Sequence, residues 1–502
     1  MFLKKKKKVV TRFAPSPTGY MHIGGIRTAL YSWAYAKKNK GSFILRIEDT
    51  DKEREVEGSI NHITESLKWL GINWNEGPDI GGPHGEYLQS KRLDIYKKYA
   101  EKLIKKGCAY VDPYTKEEVD NFRKKSEEEK KPFLYRNHRP KNPPKWDACS
   151  SSGLGRQPLR FKVKDIKRYQ WNDLVFGKLS AGEEALDDFI LMKSDGYPTY
   201  NFAHIVDDIE MNVTHVMRGQ EFISSTPKFL SLYKALKVKP PLFATLPPIM
   251  SSDGKKKLGK RDGAKDILEY RNEGYLPKAM INFLALIGWN PGTEQEIFSQ
   301  EEFVKLFDIS KIQHSGGGFN EEKLDWVNRE HLKSLSLKDK KEYIKKFIPE
   351  RIKSLLGYKD EILEKIIPII FERISKGKDI AEMAETVELT YFFEKPNFSK
   401  DELFFKSSKI PEKEKYHVLA GYLTKTISLL EKIPSQDFTK ENIKEVLWSY
   451  SEEVGRGDIL WPMRYALSGQ NKSPDPFILA EVLNKEETIT RLNLAIQILS
   501  KV

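Results

Sequence analysis

Two groups of residues in this chain are spaced for chemistry on a phosphorylated substrate. His22 stands just before Gly24 and Gly25, where a Pro/Gly loop gives way to Ile26, Ala29, Leu30, Trp33 and Ala34 at helical spacing. Two glycines at a helix start let backbone N–H groups and the positive end of the dipole approach a phosphate with no side chain in the way. Far downstream, Lys255, Lys256, Lys257, Lys260 and Arg261 are interrupted by Gly254 and Gly259. Such a Gly-hinged cationic loop could fold over a triphosphate and neutralise charge that develops in phosphoryl or nucleotidyl transfer. A solvated charge run is the plainer reading of the same residues. The spacing around His22 matches neither the dinucleotide fingerprint nor a P-loop.

The elements that must position these groups are legible nearby. Val9, Val10 and Phe13 form a β-favouring run that stops at Pro15 and Pro17, and Phe43, Leu45 and Ile47 alternate with Arg46 and Glu48. Strand, helix and strand make a βαβ opening. A helix carrying Ile60, Ile63, Leu67 and Leu70 and another from Leu93 to Lys106 continue a doubly wound pattern. From Val111 to Leu191 charged and Pro-rich runs break the periodicity, as an inserted α+β domain would, with short strands at Arg160–Lys164, Tyr169–Leu174 and Phe189–Met192. The α/β pattern resumes at residue 194, with a strand at Thr214–Met217 and a helix at Pro227–Ala235. Past Glu330 nearly every segment is helical: Leu419, Tyr422, Leu423 and Leu430 make one face, Ile443, Val446, Leu447 and Tyr450 another, Ile489, Leu492, Ile496 and Leu499 a third.

The chain has 502 residues, room for about three or four domains. A net charge of +13, spread beyond the Lys4–Lys8 run, suits a polyanionic partner. No stretch approaches the apolar length of a membrane span, the N-terminus lacks a signal-peptide pattern, and two distant cysteines, Cys108 and Cys149, make no disulfide framework. A cytoplasmic protein is expected.

In order, RFAPSPTGYMHIGG, RIEDTD, SDGYPTYNFAHIVDD, RGQEFISSTP and KLGKRDGA, with GYLPKAMINFLALIGW and FNEEKLDWVN beyond them, closely resemble the bacterial glutamyl-tRNA synthetases of class I. The resemblance implies a Rossmann-like parallel-sheet catalytic domain in two halves, 1–107 and 194–250. It also implies an acceptor-end-binding insertion at 108–193, a KMSKS-type loop and stem-contact region at 251–330, and an all-α anticodon-binding region at 331–502. It implies two steps: ATP with magnesium and L-glutamate give glutamyl-adenylate, and tRNA(Glu) then takes the glutamyl group. tRNA(Gln) as a further acceptor is the alternative, and a monomer is expected. No enzyme nucleophile is needed, so catalysis is positioning and charge stabilisation.

By resemblance, His22 and Lys260 are catalytic, and His22, Gly24, Gly25, Lys257 and Lys260 bind ATP. Arg12, Ala14, Ser16, Glu48, Tyr200, His204 and Arg218 form the glutamate pocket, with Glu48 on the ammonium and Arg12, Tyr200 and Arg218 on the two carboxylates. Arg373 and Arg464 are candidate anticodon contacts, with Tyr391, Phe392 and Trp461 to stack on bases. Five positions depart from the pattern. Gly259 replaces the usual serine of the loop, His204 stands where asparagine is common, and Asp112, Tyr114 and Arg139 lie where some relatives carry zinc-binding cysteines, so no structural zinc is expected. Glutaminyl and archaeal-type enzymes carry β-barrel anticodon domains, against which the helical tail argues. A small-molecule adenylyltransferase would need neither insertion nor tail.

Overall fold

The computed structural model describes residues 8–146, 157–183, 186–259, 265–408 and 410–501. Strands β1 (Val10–Phe13) and β2 (Ser42–Leu45) pair in parallel, Val10 opposite Ser42 through Phe13 opposite Leu45. Helix α1 (Ile23–Lys38) makes the crossover and buries Ile26, Ala29, Leu30 and Ala34. Helices α2 (Ser59–Trp69) and α3 (Leu93–Lys105) follow as the apolar spacing predicts. All four residues of β2 are buried, which is why this strand reads as a continuous apolar run rather than an alternating one.

Next come β3 (Ala109–Val111) and α4 (Lys116–Glu128), whose N-terminus is fixed by a capping box between Thr115 and Glu118. Then follow β4 (Leu159–Phe161), β5 (Tyr169–Asp173), β6 (Gly177–Ala181) and β7 (Ile190–Met192). Strands β3, β4 and β7 form one antiparallel sheet. The β5–β6 hairpin leaves that sheet. It joins β8 (His215–Gly219) and β9 (Leu242–Leu246) through the Asp173–Phe243 pairing, in the order β6-β5-β9-β8. Asp173 is the weld, its carboxylate accepting from the Thr245 amide and hydroxyl at 3.0 and 2.7 Å. Between β7 and β9 lie α5 (Tyr200–Glu210) and α6 (Thr226–Leu236).

Strand β8 runs beside β1: the Thr214 amide donates to the Val10 carbonyl at 2.9 Å, and the Val10 amide donates to Thr214 Oγ1 at 2.8 Å. With β8–β9 and β1–β2 parallel, the carboxyl ends of four strands open on the same side. The sequence reading lacks β9, because prolines on both sides make a five-residue strand look like a turn.

The chain divides into two compact units, Met1–Asn272 with Leu276–Val327, and Glu273–Tyr275 with Asn328–Val502. The second unit is helical, with helices Lys415–Leu430, Lys440–Val454, Arg456–Ser468 and Pro476–Ser500 at its C-terminal end. Of the predicted faces, Leu419, Leu423, Leu430, Ile443, Leu447, Leu492 and Leu499 are buried. The last helix kinks at Asn484, whose φ of 67° is left-handed. Buried Arg491 ties this unit together, donating to the carbonyls of Tyr391 and Leu467 at 2.6 and 2.7 Å.

Candidate active site

The first functional element is the start of α1. His22 is its N-cap in an extended conformation, and its Nδ1 accepts from the Gly24 amide at 3.1 Å. The ring thus folds back onto its own helix. A Cβ on Gly24 would come within 2.8 Å of the His22 ring, so this residue must be glycine for the histidine to sit there. With Nδ1 accepting, the imidazole proton resides on Nε2.

Around this start lies a cavity of about 570 Å³ built from strand ends. Arg12 and Phe13 come from β1, Ala14 and Ser16 from the loop after it, and Glu48 from beyond β2. Arg218 and Gly219 come from β8, Leu246 from β9 and Pro247 from just after it, and Tyr200 from the start of α5. Open parallel sheets place their ligands at this edge. Lys257, Leu258 and Gly259 form a further wall. The expected Arg12, Ala14, Ser16, His22, Gly24, Gly25, Glu48, Tyr200, Arg218 and Lys257 are therefore gathered in one cavity. Lys260 lies outside the described residues.

His204 is placed behind this wall. Its ring stacks on Tyr200 at 4.5 Å, its Nδ1 hydrogen-bonds the Tyr200 carbonyl at 2.6 Å, and it meets the edge of Phe229 at 4.6 Å. Burial depresses its pKa to about 3, so the ring is neutral and Nδ1 is the donor.

Beneath the cavity is a buried ionic layer that sequence reasoning missed. Arg46 pairs with Glu48 at 3.0 Å and with Asp208 at 2.8 Å, and Arg12 pairs with Asp208 at 3.1 Å. Asp207 accepts from Arg92 at 2.7 Å, Gln89 at 2.7 Å and Tyr96 at 2.8 Å. Burial would lower the Arg46 pKa, but Asp208, Glu48 and Asp207 outweigh it and raise it. Burial would raise Asp208, but Arg12 and Arg46 hold it low. Glu48 differs: burial pushes it up to about 7 against the pull of Arg46 and Arg12. Its charge is incompletely met, and it faces the cavity. The available signal was a charged residue inside apolar runs, Arg46 in FILRIEDTD and Asp207–Asp208 in FAHIVDD.

Arg218 is the opposite case. It is 6% exposed, donates to Thr226 Oγ1 at 2.7 Å and lies over the Phe243 and Phe229 rings at 4.6 and 4.9 Å. Among the described residues no carboxylate pairs with it, and burial lowers its pKa to about 10.

Residues 8–326 match the family of tRNA synthetases class I (E and Q), catalytic domain, and residues 339–496 match an anticodon binding domain. The chain belongs to the class I tRNA synthetases. It is 41% identical to the glutamate–tRNA ligase of Clostridium botulinum, over 97% of this chain and 98% of that protein. Against the glutamate–tRNA ligase of Dehalococcoides mccartyi the identity is 38%, over 98% of each chain. The structure of an Elizabethkingia meningosepticum glutamate tRNA ligase in complex with its amino acid superposes with a TM-score of 0.85 at 36% identity, covering 98% of this chain and all of that one, 100%. The synthetase is thus an aminoacylating enzyme with a parallel-sheet catalytic region and a helical anticodon-binding region.

In the helical unit of the synthetase, Arg373 pairs with Glu388 at 2.9 Å, while Arg464 caps the Asn471 carbonyl at 3.0 Å and lies over the Trp461 ring at 4.6 Å. Trp461 is half-buried. The expectation that Tyr391 and Phe392 stack on bases is corrected, because both are core residues, 3% and 1% exposed. At the departed cysteine positions, Asp112 accepts from Arg160 Nε at 2.5 Å and from the Tyr135 hydroxyl, and Arg139 forks onto Asp188 with two contacts of 2.7 Å. Cys108 is packed in the core, His138 stacks on Phe122 at 4.3 Å, and Cys149 lies outside the described residues. Among the described residues, no helix is long and apolar enough to cross a membrane.

Proposed function

We propose that the synthetase ligates L-glutamate to the 3′ end of tRNA(Glu) through glutamyl-adenylate, with MgATP as the second substrate. The carrying observation is the polarity of one cavity: a glycine-opened helix start at His22, an under-neutralised carboxylate at Glu48, and an unpaired buried guanidinium at Arg218. Glu48 accepts from the substrate ammonium. Arg218, with Tyr200 beside it, meets a carboxylate, and the part of Arg12 not committed to Asp208 meets the other. Glutamine in place of glutamate would leave a buried arginine short of an anionic partner, at about 1–3 kcal/mol.

In the first step an oxygen of the glutamate α-carboxylate attacks the α-phosphorus of ATP and pyrophosphate leaves. His22 Nε2–H and the amide at Gly25 stabilise the phosphate oxygens, with Gly24 leaving the approach clear, and Lys257 and Lys260 stabilise the leaving pyrophosphate. In the second step a hydroxyl of the terminal tRNA ribose attacks the carbonyl and AMP leaves. Residues 108–193 grip the acceptor end, 251–330 contact the stem, and 331–502 read the anticodon through surfaces that include Arg373 and Arg464. The protein acts as a cytoplasmic monomer. Aminoacylation of purified tRNA(Glu) and tRNA(Gln) with labelled glutamate tests the reading: charging of tRNA(Glu) supports it, charging of both makes the enzyme non-discriminating, and charging of neither overturns it. Lys260→Ala slows adenylation about 10²–10³-fold, measured by ATP–pyrophosphate exchange.

A further inference from the structure

Six arginines are at most 6% exposed among the described residues: Arg12, Arg27, Arg46, Arg92, Arg218 and Arg491. Four of them are answered by carboxylates: Arg12 and Arg46 by Asp208, Arg92 by Asp207, Arg491 by Glu487. Arg218 is unanswered and faces the amino-acid end of the cavity. Arg27 is the other unanswered one.

Arg27 sits on α1, five residues after His22, and its side chain contributes to the cavity wall with Gly24, Gly25 and Pro247. Its fork donates to two backbone carbonyls, Ile287 at 3.2 Å through Nη1 and Pro247 through Nη2. Its Nε is buried without a hydrogen-bond partner, and the guanidinium lies 5.9 Å from the centroid of the Tyr31 ring. Carbonyl dipoles satisfy hydrogen bonds but cancel no net charge. A guanidinium cannot shed its proton at physiological pH, so a full positive charge remains in a low-dielectric wall, where its field is least screened. Burying such a charge unpaired costs stability that an anion in the cavity would offset.

We infer that Arg27 supplies a fixed, uncompensated positive charge that draws the triphosphate of ATP onto the start of α1. The inference rests on reading this cavity as an ATP site. Arg27 has two separable parts. Its fork ties α1 to the end of β9 and to Ile287, which is structural; its charge is what the triphosphate feels.

Substitutions that keep one part and lose the other provide the test, read by glutamate-dependent ATP–pyrophosphate exchange and thermal melting of the full chain. Arg27→Lys keeps the charge and loses the fork. Arg27→Gln loses the charge and keeps a donor. The expected result is an ATP KM raised roughly ten- to a hundredfold in Arg27→Gln, the scale of one charge-assisted contact, with the glutamate KM within about threefold. Arg27→Lys keeps the ATP KM within about threefold of wild type although its melting temperature falls. An unchanged ATP KM in Arg27→Gln, or equal rises in both variants, overturns the inference, since packing rather than charge would then be responsible. Should Arg27→Gln fail to fold, Arg27→Met serves as the neutral variant. If neither neutral variant folds, Arg27→Lys decides alone, and an ATP KM raised more than about tenfold overturns the inference. A wild type without exchange overturns the ligase reading instead, and the charge effect is then read from equilibrium binding of ATP to the same variants.

Discussion

The floor and the walls of the cavity treat buried charge in opposite ways. In the floor, Arg46, Arg12 and Arg92 are matched by Asp208, Asp207 and Glu48 within 3.1 Å, so the layer is nearly neutral and its geometry is fixed before any ligand arrives. In the walls, Arg218 and Arg27 have hydrogen bonds but, among the described residues, no carboxylate. The same residue type is structural where its counter-ion is built in and receptive where it is left out. Glu48 belongs to both, paired with Arg46 yet held near pH 7 by burial. Under the proposed function it is where the rigid layer hands over to the substrate.

Breaking the floor should have the largest effect. Asp208→Ala strands two guanidiniums, Arg12 and Arg46, without their shared partner and is expected to cost about 3–5 kcal/mol of stability, measured by urea unfolding. An effect below ~1 kcal/mol would erase the distinction between floor and walls. Arg218→Met is expected to behave oppositely. It removes an unpaired buried charge, so stability holds or rises, while the glutamate KM climbs roughly ten- to a hundredfold in pyrophosphate exchange.

The handover at Glu48 is open to a pH test. Only the ionised carboxylate offers a substrate ammonium an opposite charge, and its fraction grows as pH rises through about 7. Glutamate kcat/KM should therefore rise about tenfold per pH unit below that value and level off above it, and Glu48→Gln should abolish the rising limb. A flat profile in wild type would place the ammonium elsewhere. The smallest effect is expected at Gly259, which lines the cavity and stands where the family resemblance implies serine. Gly259→Ser restores a hydroxyl and removes backbone freedom, so adenylation is kept or improved by up to about threefold. A large loss of exchange rate would show that the loop requires glycine.

Much of the first unit was legible because its signals are local. Pro15, Pro17 and the paired glycines mark the loop into α1, and apolar spacing marks α1, α2 and α3. Helical faces in the second unit were legible for the same reason, and Leu419, Leu447 and Leu492 are buried as their spacing implies. Less visible were the short strand β9 between prolines and the departure of the β5–β6 hairpin into the sheet of β8 and β9, since strand pairing is a long-range choice. Tyr391 and Phe392 show the limit from the other side: aromatic residues in a polar helical region are as suited to a core as to a base, and only packing tells which.

By itself, then, the sequence determined which candidate side chains would gather in the cavity, because His22, Glu48, Arg218 and the glycines of the loop are fixed by covalent order and local backbone requirements. The tertiary structure alone decided which charges would cancel. Arg12 meets Asp208 across 196 positions of chain, while Arg27 donates to the carbonyls of Pro247 and Ile287. Pairing of a buried charge depends on distance in space and on the dielectric around it, and neither is written in the spacing of residues along the chain.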